Sequence, residues 1–564
     1  MLEFLRFRAR GLTKTILATA LLMCCGLTIA RAADTVPEAE IRAKLVQAMS
    51  AEPDSPEQLD IISSLADTGA TLVADTLGGW RAGDVFVQGQ PDGSKLYIWK
   101  KEGKSINVAT GTEAPITDGT PLDTSSKIRK AIRVTTDLLS LAVPDPKVRS
   151  AAVLKLGMSE NPSYLPILQA RLSKEKNKAV LKSLHQGIAF IELADTDKAK
   201  RIAAIKALAS MNSLPATDVL KKLNTDPDKE VAAAATTASG TLLNYERQVN
   251  FYGTLFRGLS TGSILLVVAL GLAITFGLMG VINMAHGEIM VVGAYTTYFV
   301  QGLFGGGIAL PLFGLSLNIP GMKLEGAAMD SYFLVALPAS FFVAALVGIA
   351  LERGIIQFLY KRPLESLLAT WGVSMILQQC FRLVFGPQNV QVYSPAWLSG
   401  NWTVSDVILG WNRLFVIAFA GLIVFLTYLL LTRTPLGLLI RAVMQNRQMA
   451  ACMGVKAENV NMLTFGFGSG LAGLAGAFLS QIGNVGPALG QDYIVNCFMT
   501  VVVGGVGNIV GTILSAMGIG MIDQVLQTLW DPVMGKVTVL VGIILFLQWK
   551  PGGLFPTRSR SLEG

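Results

Sequence analysis

Asn283-Met284-Ala285-His286-Gly287-Glu288 places three polar side chains between two long apolar runs. Ionisable groups at membrane depth are costly, and they face one another or a cavity. Asn283, His286 and Glu288 therefore mark either a turn at the inner mouth of a polar pathway or a solvated turn that only reverses the chain. His286 and Glu288 do not have the H-E-x-x-H spacing of a zinc protease. A second place is Gly504-Gly505-Val506-Gly507-Asn508, with Gly511 beyond it, inside an apolar stretch from 491 to 529. Glycines there let a broken helix offer backbone groups to an uncharged polar solute where they line a cavity. Gly504, Gly505 and Gly507 are pathway candidates on that ground, and close helix packing is the other use of such glycines. Asp492 and Asp523 are acids of the pathway or of the membrane edge.

These residues need apolar helices to hold them, and the chain supplies them in its second half. Of 47 Lys+Arg and 39 Asp+Glu, residues 251–564 hold 15 and 11, so that half is too poor in charge to be wetted on all sides. Apolar segments of about 20 residues, the length of a bilayer span, lie near 258–280, 288–310, 331–351, 364–385, 412–432, 461–482 and 534–549. The 491–529 stretch is long enough for two short crossings, giving about nine. An exported N-terminal region and a cytoplasmic C-terminus require an odd number. With nine, Arg353, Lys361, Arg362, Arg433, Arg441, Arg447, Lys456, Lys550, Arg558 and Arg560 fall inside. The 387–410 loop, which has no Lys or Arg, falls outside, as the positive-inside rule requires.

The first half is as charged as a soluble protein. Residues 1–32 read as a signal peptide: Arg6, Arg8, Arg10 and Lys14, an apolar run, then Ala30-Arg31-Ala32, with cleavage expected after Ala32. Residues 33–245 form an exported, mainly helical region. Within it, period-two alternation around Pro91-Asp92-Gly93 predicts a hairpin or three-stranded meander over about 84–110. From 126 to 240 the pattern is helical, and Asp145-Pro146 is echoed 81 residues later by Asp226-Pro227, near two repeats of the HEAT type. Such a stack is either a partner surface or a plain spacer. His185, with no Cys or second His nearby, reads as structural. The expected fold class is thus an all-α polytopic membrane protein, preceded by a HEAT-like exported domain with a small β element. The membrane domain covers 250–556, and 557–564 is a cytoplasmic tail.

Several classes are excluded. The net charge of +8 forms no basic stripe, so nucleic acid is not a partner. Cys24, Cys25, Cys380, Cys452 and Cys497 have no ligand or disulfide spacing, and no metal or cofactor is expected. Gly535-Lys536 is followed by Val537 and lacks the upstream glycine of a phosphate-binding loop.

The strings GLMGVINMAHGEIMVVGAY (277–295), RPLESLLATWGVSMILQQ (362–379), TRTPLGLLIRAVMQNRQMAACMGVKAENVNMLTFGFGSGLAGLAG (432–476) and VVVGGVGNIVGTILSAMGIG, with the ending WKPGGLFP, span the membrane half. In these the chain resembles the LivH-like group of ABC permeases for branched-chain amino acids and urea. The extension and the ATWGVSMILQQ string are similar to the B-type permease of urea ABC transporters. The resemblance implies a non-enzymatic transport component in the bacterial inner membrane, with ATP hydrolysed by separate ABC ATPase subunits. It also implies a LivM-like second permease, a soluble solute-binding protein and surrounding lipid as partners. By the same resemblance Arg441, Ala450, Ala451 and Gly454 fall in the loop that couples to the ATPase, where small residues permit close docking and glycine a sharp turn. Urea or a short amide is the expected solute. A branched-chain amino acid permease, a passive urea or amide channel, and a membrane-anchored sensor are the alternatives.

Overall fold

The computed structural model describes residues 37–556 except 69, 91–94, 102–103, 117–118, 313–314 and 361. The expected signal peptide and its cleavage site, Cys24 and Cys25, the Pro91-Asp92-Gly93 turn and the 557–564 tail lie outside the described residues. The chain divides into two compact units, Met1–Tyr245 and Glu246–Gly564.

In the first unit, helices Glu38–Ser50, Pro56–Ser64, Thr71–Ala82 and Ser126–Leu139 surround a small antiparallel sheet. Val85–Gly89 pairs with Lys95–Lys101, which pairs with Lys104–Asn107, and Thr120–Pro121 adds a short edge strand beside Val85–Gly89. The meander thus gains a fourth strand from a segment with no alternation to announce it. Ile41, Leu45, Leu77, Trp80, Tyr97 and Ile132 are in the core these elements share. The Ser126–Leu139 helix shows how patterning selects a face: Ile128, Ile132, Thr135 and Leu139 are buried at helical spacing. Ser125 caps its start by accepting from Ile128 N.

The helices from Pro146 onward carry an internal echo at a different period from the one expected. Asp145 and Asp197 cap two helices by accepting from Lys147 N and Ala199 N, each at 2.9 Å. One turn into those helices, Arg149 pairs with Glu175, and Arg201 pairs with Asp226. Asn177 and Asp228 then cap the helices that follow, accepting from Ala179 N and Glu230 N. The repeated signal is therefore Asp-x-x-x-Arg at 145–149 and 197–201. The Asp145/Asp226 echo compared a cap with a residue that serves as the partner of Arg201, and the expected spacing of about 40 residues is corrected accordingly. His185 is exposed.

The Arg149–Glu175 pair is largely shielded, with side chains 13 % and 6 % exposed. Burial alone would raise the Glu175 carboxyl, but Asn177 N–H, the Arg149 guanidinium and Lys176 N–H outweigh it and hold it below its usual range. A depressed folded-state value stabilises above the unfolded carboxyl value and loses that stabilisation as pH falls through the folded one. Glu175→Gln is expected to lower the melting temperature of the first unit near neutral pH by several degrees. It should also flatten the temperature-versus-pH curve below about pH 4. Thermal unfolding across pH 3–7 checks this, and an unchanged acid limb would remove Glu175 from the acid response.

In the second unit, each of the nine expected apolar segments contains a helix. Seven helices among the described residues are long and apolar enough to cross a membrane: Lys229–Gly277, Ala327–Phe358, Leu364–Phe385, Trp411–Arg433, Ala457–Leu479, Ile509–Leu529 and Pro532–Trp549. The other two, His286–Phe304 and Leu489–Gly504, differ for physical reasons. The first opens on His286 and Glu288 and carries Thr296, Thr297 and Gln301. The second has 16 residues, about 24 Å of helix against about 30 Å of hydrocarbon. The expected segment 288–310 also stops early. Gly305-Gly306-Gly307 ends the helix at Phe304, and Gly307–Leu312 turns back as an antiparallel hairpin with Leu315–Pro320. A second hairpin, Asn401–Val404 with Val407–Gly410, precedes Trp411.

The core of this unit is built by His286–Phe304, Tyr332–Gly354 and Ala457–Leu479, which contribute Ile289, Tyr295, Phe333, Ala344, Ala475 and Phe478. Their axes approach closely because glycines face backbone. A Cβ on Gly293 would lie 2.6 Å from the Gly473 carbonyl carbon, and one on Gly476 would collide with Met290 O. Glycine contacts of this kind replace the hydrophobic drive that lipid removes. The Pro363–Phe385 helix instead exposes Leu364, Leu368, Trp371, Met375 and Ile376.

Candidate functional site

The long helix Lys229–Leu272 runs on as a π-helical segment, Ala273–Leu278. The chain then doubles back through Met279–Ala285, and His286–Phe304 starts beside the helix just left. His286 Nε2 donates to the carbonyl of Val268 at 3.1 Å, ten residues before Leu278. That residue count corresponds to about 15 Å of helix, so the new helix begins well back along the helix just left rather than beyond its end. Asn283, His286 and Glu288 are 1 %, 0 % and 1 % exposed. The solvated-turn reading of these three residues is therefore corrected: the segment is buried.

Local hydrogen bonds fix this turn. Asn283 Oδ1 accepts from Ala285 N at 3.0 Å, and Thr370 Oγ1 accepts from Met284 N at 3.1 Å. Thr370 sits on the Pro363–Phe385 helix, where its hydroxyl also donates to Ser366 O at 2.8 Å. One turn further along, Ser374 Oγ donates to Glu288 Oε1 at 3.4 Å. The second wall is the start of the Leu489–Gly504 helix. A Cβ on Gly490 would lie 2.6 Å from Glu288 Oε2 and 2.8 Å from Oε1, and a Cβ on Gly287 would collide with Gly490 O. Two helix starts thus meet at Gly287 and Gly490, and neither is capped by a side chain at its N-cap residue, Ala285 or Ala488. Asn283 Nδ2, His286 Nδ1 and Glu288 Oε2 have no hydrogen-bond partner among the described residues. Buried polar atoms are nearly always paired, so three unpaired ones around one turn single it out.

The sequence reading missed Ser374, Thr370 and Gly490. The signal for Gly490 was present: Ala285-His286-Gly287-Glu288 is answered by Ala488-Leu489-Gly490-Gln491, each opening a helix after a non-helical approach. Ser374 and Thr370 lie one turn apart on an apolar helix, a spacing that sequence alone also gives to ordinary packing.

Gly504, Gly505 and Gly507 are not brought to this junction. They form the turn joining Leu489–Gly504 to Ile509–Leu529, with Gly505 and Gly507 at φ 101° and 85°. Gly504 packs on Gly511, and Asn508 caps the next helix by accepting from Gly511 N at 3.1 Å. The chain's own ending occupies the carbonyls here: Leu554 N donates to Val503 O at 2.8 Å and Phe555 N to Gly504 O at 3.3 Å. A helix break that offers these carbonyls to a solute is corrected to a turn closed by the segment that contains Pro551 and Pro556. Asp492 is exposed in the first turn of its helix, and Asp523 accepts from Gln527 Nε2 at 2.8 Å.

The 434–456 loop forms two short helices, Pro435–Gln445 and Arg447–Cys452. Arg441 is exposed, with its Nε donating to Gly437 O at 3.3 Å. Ala450 and Ala451, expected to act together, are separated: Ala450 is 7 % exposed and packs with Leu431, Ile440, Val443 and Val460, while Ala451 is exposed. Direct docking by Ala450 is thereby corrected to a packing role. Met449 and Met453 are also exposed, and Gly454 sits at φ 84° with Val455 N donating to Ala450 O at 3.1 Å.

A helical membrane unit with a buried polar helix junction and an exposed small-residue loop is the architecture of a transport permease. The family described as the branched-chain amino acid transport system permease component matches residues 254–547, more than half of the chain, and the chain belongs to it. It is 27 % identical over 312 residues to the high-affinity branched-chain amino acid transport permease BraD of Pseudomonas aeruginosa, covering 53 % of this chain and 94 % of that protein. It is 24 % identical over 322 residues to LivH of Escherichia coli, covering 55 % and 96 %. Similarity extends to a probable LivH of Methanocaldococcus jannaschii, at 27 % over 309 residues, covering 52 % and 88 %. No solved structure matches the chain.

Proposed function

We propose that this chain is the translocation subunit of an ATP-driven ABC importer for a small polar solute, urea or a short amide, crossing the bacterial inner membrane nine times. The observation that carries the reading is the buried junction at Glu288 and Gly490. It offers hydrogen-bonding groups on the line where two interrupted helices meet, the arrangement transporters use at mid-membrane. An uncharged solute suits it, because the segments that form the junction, 279–290, 366–374 and 488–494, contain no Lys or Arg to meet a carboxylate. His286–Phe304 and Leu489–Gly504 count as crossings in this reading, each completed by non-helical chain that is partly buried in protein. The partners are ABC ATPase subunits at the loop around Ala451, a LivM-like second permease, and a soluble solute-binding protein. Residues 33–245 are an exported, mainly helical domain with a small β element.

The second reading, a branched-chain amino acid permease, is favoured by what the relatives' names say they carry. Uptake of labelled urea, acetamide and leucine by cells with and without the gene separates the two. Loss of urea and amide uptake alone is expected. Loss of leucine uptake alone selects the second reading, and uptake that persists without ATP would indicate a channel.

A further inference from the structure

Glu288 has an acceptor to fill, and at the start of the Leu489–Gly504 helix Leu489 N donates to Gly486 O at 3.2 Å and Gln491 N to Ala488 O at 3.1 Å, while the Gly490 N–H between them has no partner among the described residues. Glu288 is 1 % exposed, its Oε2 has no partner among the described residues, and its Oε1 takes the Ser374 hydroxyl at 3.4 Å. Leaving such an oxygen unpaired is costly, and in a native fold it calls for a reason. The carboxyl lies against Gly490, where no side chain caps the helix. The first N–H groups of a helix have no partner within it and carry its positive end, so they favour an oxygen of a ligand.

We propose that Glu288 and the first turn of Leu489–Gly504 together form the recognition point for a solute with adjacent N–H donors and a carbonyl or carboxylate oxygen. The solute's N–H groups reach Glu288, with the Ser374 hydroxyl beside it, and its oxygen reaches the N–H of Gly490, the helix-start donor that Leu489 and Gln491 leave over. The assignment rests on the importer reading and names the residues that read the solute. In this arrangement the point is shut, because even a Cβ on Gly490 would lie 2.6 and 2.8 Å from the two carboxyl oxygens, which leaves no room for a solute between them. Parting of the two helix starts opens it, and only glycine at 287 and 490 lets them close again. Two solute classes share this chemistry: a urea or amide, and the ammonium and carboxylate of an amino acid.

The test is transport kinetics in cells carrying the complete importer with Glu288→Gln, using labelled urea, acetamide and leucine. Glutamine keeps the shape and replaces one acceptor oxygen with a donor. For whichever solute the wild type carries, KM is expected to rise, with membrane level and kcat retained. A rise of about tenfold is expected for urea or acetamide, which loses one hydrogen bond. One of about a hundredfold is expected for leucine, whose ammonium loses a charged partner; either supports the assignment and names the class. An unchanged KM at wild-type membrane level overturns it while leaving the importer reading intact. Should Glu288→Gln fail to accumulate, Ser374→Ala replaces it: a KM rise of a fewfold supports the site, and none overturns it. Absence of wild-type uptake of all three solutes overturns the solute reading and this assignment with it.

Discussion

Gly293→Leu is expected to prevent the membrane unit from accumulating, with a destabilisation of about 3 kcal/mol or more if any protein is recovered. Gly293 faces Gly473 so closely that a Cβ there would lie 2.6 Å from the Gly473 carbonyl carbon, and neither backbone can turn aside as a side chain would. The same glycine holds a polar bond between helices: its carbonyl accepts from Ser340 Oγ, on Tyr332–Gly354, at 2.9 Å. Displacing His286–Phe304 from Tyr332–Gly354 breaks that bond in the core, so steric and hydrogen-bond costs add. Gly421→Leu is the control, because nothing lies within 4 Å of a Cβ at that position on the Trp411–Arg433 helix. Membrane levels by immunoblot, and thermal unfolding in detergent, distinguish the two. Equal levels for both variants would mean that the backbone contact between these helices does not hold the unit together.

That contrast between two glycines on apolar helices is invisible in the sequence, and it shows where pattern stops informing. Hydropathy places a helix in every expected segment of the second unit, because apolar length is a local property of the chain. Depth is not local. The polar turn at Asn283, His286 and Glu288 reads equally well as a surface turn, and its burial follows from contacts with Val268, Thr370 and Gly490, all on other helices. The first unit shows the same limit in a milder form. Asp145 and Asp226 look alike in sequence, yet one caps a helix and the other pairs with Arg201, and only the pairing geometry tells them apart. Where short-range chemistry dictates the outcome, the sequence is sufficient: Asn508 before Gly511, Ser125 before Ile128 and Asn446 before Met449 each cap a helix three residues ahead.

Ala451→Arg is expected to reduce ATP-driven uptake about 30-fold while the permease reaches the membrane at its normal level. Ala451 is exposed at the end of the short helix Arg447–Cys452, between Met449 and Met453, which are 62 % and 82 % exposed. Small and apolar exposed groups on the loop that the importer reading assigns to the ATPase suit the close approach of a partner, and Met adapts its shape to a docking surface. A bulky cation at the centre of such a contact costs about 2 kcal/mol, from which the size of the effect follows. The neighbour supplies the internal contrast. Ala450→Arg forces a guanidinium among Leu431, Ile440, Val443 and Val460, so this variant should be lost from the membrane rather than uncoupled. Gly454→Ala lies between them: nothing would meet its Cβ, so the cost is the strain of φ 84° alone, about 1 kcal/mol. Copurification of the ATPase subunits with each variant reads the contact directly. Full ATPase recovery and full uptake with Ala451→Arg would place the coupling surface elsewhere on the permease, with the exposed face of Pro435–Gln445 around Leu438 and Arg441 as the next segment to test.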